Sequence, residues 1–346
     1  MRTFNRRQFL SLAPAATRPP SGYWVHVARE AMACRFQVTL PATEPRGIAG
    51  ASFALDEIDR LEAQLTVYRD DSELSEINRN AAEVPVTVER GLFELLSLCA
   101  QLHWETEGAF DITAGPLIRC WGFFSRQGRI PDSAELESAR RWVGMSEVSL
   151  EAENHSVRFA RAGVEINLGS IGKGFALDRA SAKLREHGLR TALLSGGRSS
   201  VVALGGELGG WLVGVRHPHK AGGRIATIRL KNAAMATSGS GEQYFVAGGR
   251  RYGHILDPRS GVPARGVAGA TVVASSGAIA DALATAFFVG GAELAKRYCR
   301  DHPEVLAFLV PEGPMDQPQV FGSHRGAAIE AIPIDHPLQT RASLIQ

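Results

Sequence analysis

Several features that would identify a protein at a glance are missing from this chain. Its 346 residues include only four cysteines, Cys34, Cys99, Cys120 and Cys299, far apart and with no C-x-x-C pair. That spacing matches neither a zinc site nor a disulfide framework, so free and mostly buried thiols are expected. Charge excess is missing too: the formal net charge is only +2. Lys and Arg are not clustered on one element, so the footprint of a nucleic-acid binder is absent. No apolar run is read as long enough to span a membrane. The 37 glycines follow no period, which excludes collagen-like chains and repeat arrays. What remains is a chain long enough for one large core or two closely joined lobes.

The first residues carry a signal of their own. Asn5-Arg6-Arg7-Gln8-Phe9-Leu10 reads like a twin-arginine export signal. The apolar stretch behind it, Phe9 to Ala16, is interrupted by Pro14 and contains no cysteine to accept a lipid. Residues 1–22 therefore read as a weak or shortened twin-arginine-type signal, and 23–346 as a single domain. A working signal implies a periplasmic or membrane-associated protein; otherwise the protein is cytoplasmic.

The chain is organised around His254 to Thr285. A β-rich run ends at Asp257-Pro258, because Pro258 disfavours helix for the residue before it and Gly261 closes the turn. A β-branched run from Ala270 then leads into an alanine-rich segment that Ser275 or Ser276 can N-cap. In a helix, Asp281 and Thr285 stand four apart and share a face. A carboxylate and a hydroxyl with no Cys or His beside them suit a hard cation such as Mg2+. The pattern fits a satisfied polar pair on an apolar helix as well, and spacing alone leaves both readings open.

Elsewhere strands and helices interleave irregularly, which reads as α+β. Strand pairing is expected around Ala31-Met32-Ala33. Ile48 to Leu65 carries an apolar stripe of Leu55, Ile58, Leu61 and Leu65 opposite Asp56, Glu57, Asp59, Arg60 and Glu62, a helical period. Leu92 to Trp104 repeats the pattern and stops at Gly108, read as the C′ residue. Ser133 to Val143 is a surface helix with a serine cap. Strand-like pieces follow at Val148 to Leu150, Val157 to Phe159 and Val164 to Leu168. Asn167-Leu168-Gly169-Ser170-Ile171-Gly172-Lys173-Gly174 then turns a strand into a helix. It is neither G-x-G-x-x-G nor a Walker loop. Small residues, free N–H groups at a helix start and a lysine nevertheless suit a phosphate. His217-Pro218-His219 has no third ligand at a suitable spacing and reads as loop.

Five blocks carry a resemblance. They are Asp71-Ser72-Glu73-Leu74-Ser75-Glu76-Ile77-Asn78, Gly108 to Leu117, Asn167 to Asp178, Thr237-Ser238-Gly239, and His254 to Gly261 with Ala280-Asp281-Ala282-Leu283-Ala284-Thr285. In this order they resemble the ApbE family, the FAD:protein FMN transferases, over roughly Met32 to Val310. The resemblance implies an α+β, T-fold-related unit of mixed sheets flanked by helices, with a flavin cleft between two lobes. It implies Mg2+-dependent transfer of FMN from FAD to a threonine or serine hydroxyl of a partner flavoprotein, with release of AMP. Met32, Tyr68, Ala109, Phe110, Asp111, Asn167, Lys173 and Ile255 would bind FAD. Phe110 would serve as an aromatic platform beside Asp111. Asp281, Thr285 and the Ser170 carbonyl would hold the metal, and His254 is a candidate general base. Two positions depart from the family: Asn167 and Ser240 stand where relatives have aspartates. Rival readings are an FAD pyrophosphatase giving FMN and AMP, and an FAD-binding module without turnover.

Overall fold

The computed structural model describes residues 23–331, except 207–208, 221, 242 and 314–316. The proposed export signal lies outside the described residues. The chain opens with a hairpin, β1 (Trp24–Ala31) and β2 (Cys34–Pro41), turned by Met32 and Ala33 at φ 48° and 57°. Helices α1 (Gly47–Leu65) and α2 (Glu73–Asn80) follow, then β3 (Val86–Thr87), α3 (Arg90–Glu105), α4 (Gly115–Cys120) and α5 (Ser133–Arg140). A short hairpin, β4 (Val148–Glu151) and β5 (Ser156–Phe159), precedes α6 (Gly172–Glu186). Strands then dominate: β6 (Ala192–Gly196), β7 (Ser200–Leu204), β8 (Trp211–Arg216), β9 (Arg224–Leu230), β10 (Ala233–Gly239), β11 (Tyr244–Ala247), β12 (Arg250–Gly253) and β13 (Val267–Ala274). The last elements are α7 (Gly277–Asp301), β14 (Leu306–Pro311), β15 (Gln319–Gly322) and β16 (Ala327–Ala331).

Eight strands form the central sheet in the order β1-β2-β6-β7-β10-β13-β14-β15, and each neighbouring pair is antiparallel. Helices α1, α6 and α7 cover one face, and the small sheet β16-β9-β8 covers the other. A strand covered on both sides must be apolar on both sides, and β13 is buried at all eight positions. Val272 faces the helix layer and Val273 the core beneath the small sheet. A third cluster, Leu117, Trp121, Phe123, Ala139 and Leu256, joins α4 and α5 to the turn after β12.

Helix α7 is long and apolar enough to cross a membrane by length and composition, contrary to the expectation from sequence. Two thirds of its apolar window is buried inside this fold, where Leu283 and Phe287 are fully enclosed. Burial of each such side chain is worth about 1.5–3 kcal/mol. Its helical path breaks at Gly291, whose φ of 71° is one that glycine adopts without strain. The sequence reads Thr285 to Val289 as the end of one buried helix and Ala292 to Arg300 as another, and the break at Gly291 falls between them.

Local details differ from the sequence reading where capping decides them. Glu107, not Gly108, takes the left-handed C′ position of α3, at φ 53°. Gly108 stands one residue later and donates to the His103 carbonyl, while Glu107 donates to Trp104, which is a Schellman ending. Asp132, not Ser133, caps α5, in a reciprocal capping box with Glu135. Residues Val164 to Leu168 form no strand; Ile166 is held instead by the Asn78 side-chain amide on α2, whose Nδ2 donates to the Ile166 carbonyl and whose Oδ1 accepts the Ile166 N–H. The β run before Asp257 ends at Gly253, with only an isolated bridge from Leu256 to Pro263 beyond it.

Candidate active site

The starts of α6 and α7 meet. Gly174 lies so close to α7 that a Cβ there would collide with the backbone carbonyl of Gly277, so no other residue fits without moving a helix. Ser276 caps α7, accepting from the Ile279 N–H. Asp178 on α6 adds a second cap by accepting from Ser276 Oγ at 2.7 Å and from the N–H groups of Gly277 and Ala278 at 2.7 and 2.9 Å. Burial raises the Asp178 carboxyl above its usual range even against these three donors. Asp178, the last residue of the Asn167 to Asp178 block, thus locks two helix starts together.

Asp281, one turn into α7, is 4% exposed. Its Oδ2 accepts the Gly174 N–H at 3.1 Å and lies 3.8 Å from Lys173 Nζ; its Oδ1 accepts from Ser200 Oγ at 3.2 Å. In a continuing helix the Gly174 N–H would reach back to the Ser170 carbonyl. Here it goes to Asp281, so that carbonyl loses the partner regular geometry would give it. Thr285 Oγ1 donates to the Asp281 carbonyl at 3.3 Å and sits 3.1 Å from Ser238 Oγ at the end of β10. Asp281 thus links Lys173, the start of α6 and the Ser200 hydroxyl through its carboxylate, and the Thr285 and Ser238 hydroxyls through its backbone carbonyl. Such an oxygen set fits Mg2+ by its chemistry. Among the described residues no group of three or more His, Cys, Asp or Glu offers an alternative centre. Cys34 lies close enough to feel Lys173 and Asp281, but burial pushes its thiol up to about 11.

A cavity of about 280 Å³ opens beside this cluster, lined among others by Gly239, Ser240, His254, Ile255 and Phe288. Phe288 is one turn beyond Thr285 and Gly239 follows Ser238, so the cavity is lined from the same two elements, α7 and β10, that carry Thr285 and Ser238. His254 Nδ1 lies 3.0 Å from the Gln243 carbonyl. A carbonyl only accepts, so Nδ1 is the protonated nitrogen, and in a neutral ring the lone pair is on Nε2. Ser240 donates its N–H and hydroxyl to the Ala268 carbonyl at 3.3 and 3.4 Å.

The remaining predicted residues are positioned by other parts of the chain. The Met32 N–H, in its left-handed turn, donates to Glu62 Oε1 at 2.6 Å. Asn167 Oδ1 accepts the Gly169 N–H at 2.9 Å, an Asx turn leading into α6. Ala109 and Phe110 are 1% exposed, so the Phe110 ring belongs to the core and is no platform. Asp111 is spent on the Thr113 N–H and hydroxyl, with its other oxygen 3.2 Å from His103 Nδ1. Tyr68 is 68% exposed. The turn after β12 is pinned from α4, where Trp121 Nε1 donates to the Gly261 carbonyl at 2.8 Å.

Comparison with known proteins identifies the family. The ApbE family model matches residues 32–310. The chain belongs to the ApbE family. Among its relatives, the FAD:protein FMN transferase of Treponema pallidum is 33% identical over 299 residues, covering 81% of this chain and 82% of the relative. That of Klebsiella pneumoniae is 32% identical and covers 75% and 81%. The crystal structure of the ApbE protein of Thermotoga maritima superposes with a TM-score of 0.78 at 30% identity, covering 87% of this chain and 97% of that one. As in the sequence reading, the ApbE blocks are distant in the chain. The fold brings Lys173, Ser238, Asp281 and Thr285 into one cluster and sets His254 and Ile255 on the adjoining cavity. Two contributors carried no signal in the sequence: Ser200, bonded to Asp281, and Glu62, which holds the Met32 turn. Both depend on strand and helix pairing that spacing does not reveal.

Proposed function

We propose that this ApbE family member is an FAD:protein FMN transferase that moves FMN from FAD to a threonine or serine hydroxyl of a partner flavoprotein and releases AMP. The observation that carries the reading is Asp281, a buried carboxylate shared by the Gly174 N–H, Lys173 and Ser200, with Thr285 one turn on. Relatives that are a third identical bear the name of this activity. In the reaction the acceptor oxygen bonds to the FMN-side phosphorus, the bridging P–O bond breaks, and AMP leaves with the bond's electron pair. The acceptor hydroxyl loses its proton.

Each step has a residue suited to it. Lys173, at the start of α6, opposes the pyrophosphate charge and holds it in line for attack. His254 Nε2 takes the hydroxyl proton, and the Gln243 carbonyl fixes the tautomer that makes this possible. Mg2+, held by Asp281, Thr285 and the Ser170 carbonyl, would supply charge neutralisation on the phosphoryl oxygens. Met32, Tyr68, the Ala109–Asp111 backbone, Asn167 and Ile255 would contact the dinucleotide.

The test is incubation of the purified chain with FAD and Mg2+, with and without an acceptor flavoprotein, followed by chromatography. AMP only with acceptor, together with covalently bound FMN, is the expected result. AMP without acceptor makes the protein a pyrophosphatase. FAD bound but intact under both conditions makes it a binding module.

A further inference from the structure

Tyr68 does not stand alone on the surface. Its ring stacks on Phe124 with centroids 4.8 Å apart and planes 26° from parallel. The Arg119 guanidinium lies 3.8 Å from the centroid of the same Phe124 ring. At these separations the two groups would overlap on one face, so they take opposite faces of Phe124. Arg119 is anchored in turn, donating from Nε to Glu165 Oε2 at 2.7 Å. Glu165 is next to Ile166, which Asn78 ties to α2, and two residues before Asn167. The result is a three-layer stack of cation, ring and ring, secured at its inner end and finished by an exposed tyrosine face.

We propose that Phe124, backed by Arg119, is a positioning residue of the flavin subsite: it fixes the Tyr68 ring so that its outer face receives the isoalloxazine as a fourth layer. The inference rests on the transferase reading. Both faces of Phe124 are occupied, so the layer open to a ligand is Tyr68. An exposed tyrosine without such a backing turns about its side-chain bonds, and a ligand must then freeze that motion on binding. A ring held in place is ready for a broad, flat, electron-poor partner, and offset stacking favours one. Arg119 over the far face of Phe124 limits tilting of the middle ring, as a cation over an aromatic does.

The experiment separates the flavin end of FAD from its nucleotide end. Riboflavin, FMN, FAD and ADP are titrated against wild type, Phe124→Ala, Phe124→Leu and Phe124→Tyr, by flavin fluorescence or calorimetry. Phe124→Ala and Phe124→Leu should weaken the three flavins by roughly fivefold, the size of one aromatic pair, and leave ADP unchanged. Phe124→Tyr should restore wild-type values. In turnover the loss should appear in KM for FAD with kcat preserved. Leucine keeps apolar volume without a ring, so it tests the stack even if alanine disturbs folding. Unchanged flavin affinity in both variants would overturn the inference. So would tighter flavin binding, which would mean that the Phe124 ring stands where the flavin goes, or equal losses for ADP, which would mean general loosening. Wild-type protein that binds no flavin at all would remove the transferase reading, and this inference with it.

Discussion

Asparagine at position 281 keeps the shape of the aspartate and removes its charge, which separates two jobs that the carboxylate does at once. In the fold, Asp281 Oδ2 accepts from Gly174 and neighbours Lys173, while Oδ1 accepts from Ser200. An asparagine has one acceptor oxygen and one NH2. The oxygen must face Gly174 and Lys173, which only donate; the NH2 can face Ser200, whose hydroxyl can turn and accept. Gly174, Lys173 and Ser200 then each keep a partner. The cost to folding is the conversion of charge-assisted bonds to neutral ones, about 1–2 kcal/mol and a few degrees of Tm. Alanine would instead remove the acceptor of the Gly174 N–H and the Ser200 hydroxyl and the carboxylate beside Lys173, about 3–5 kcal/mol. The effect on the metal should be larger than that on folding. Asp281 is the one anionic ligand of the proposed oxygen set, and Mg2+ binds through carboxylates. Half-maximal AMP release should therefore need about tenfold more Mg2+ or beyond, which is ~1.4 kcal/mol or more. Metal-free FAD affinity should stay within about threefold, less than ~0.7 kcal/mol. A Mg2+ titration of acceptor-dependent AMP release, beside a thermal melt, measures both. Asp281→Asn protein that saturates at the wild-type Mg2+ concentration would refute the metal assignment.

Other perturbations test the frame around the site. Gly174→Ala drives a methyl group into the Gly277 carbonyl and should cost about 3 kcal/mol by overpacking. Gly172→Ala, where nothing lies within 4 Å, is the control, and equal melting points for the two would contradict the close approach. Asn167→Asp preserves the Asx turn to Gly169 and adds a charge. Tighter FAD binding by roughly 1 kcal/mol at constant turnover would mark a hydrogen bond to the dinucleotide. Faster turnover at constant affinity would mark a role at the metal, and no change would remove Asn167 from the site. Asp178 is a carboxyl whose folded value is raised by burial, so the sign is the reverse of the usual acid case. Its stability contribution is greatest below the ordinary carboxylate range and declines as pH rises through the folded value. Denaturant unfolding of wild type minus Asp178→Asn across acid pH should show that decline, and a flat difference would disprove it.

Much of the fold was legible wherever a periodic pattern ran for a dozen residues. Helix α1 was visible in its leucine stripe, and the starts of α6 and α7 in their small residues and serine cap. Asp281 and Thr285 could be paired because helical spacing is local. The limits were equally local. Phe110 sits in a motif and looks like a platform, but nothing in its neighbours shows that the core closes over its ring. The left-handed ending of α3 fell to Glu107 with a glycine beside it, because the Schellman bonds are set by where the helix stops, not by residue preference alone. Val164 to Leu168 alternates like a strand, yet finds Asn78 in place of a neighbouring strand. The role of Asp178 was unreadable because its three donors lie about a hundred residues away.

That distance has a consequence for how the site comes into being. The bond from Gly174 to Asp281 closes a loop of 107 residues, that from Ser200 to Asp281 one of 81, and the Ser238–Thr285 contact one of 47. Contacts of such long range form only after most of the chain has been brought together, so the site is a late product of folding. No fragment that ends before α7 contains it, and none that begins after α6 does. A ligand that bridges Lys173 and Asp281 therefore ties together positions about a hundred residues apart, and its binding energy is added to the stability of the whole unit.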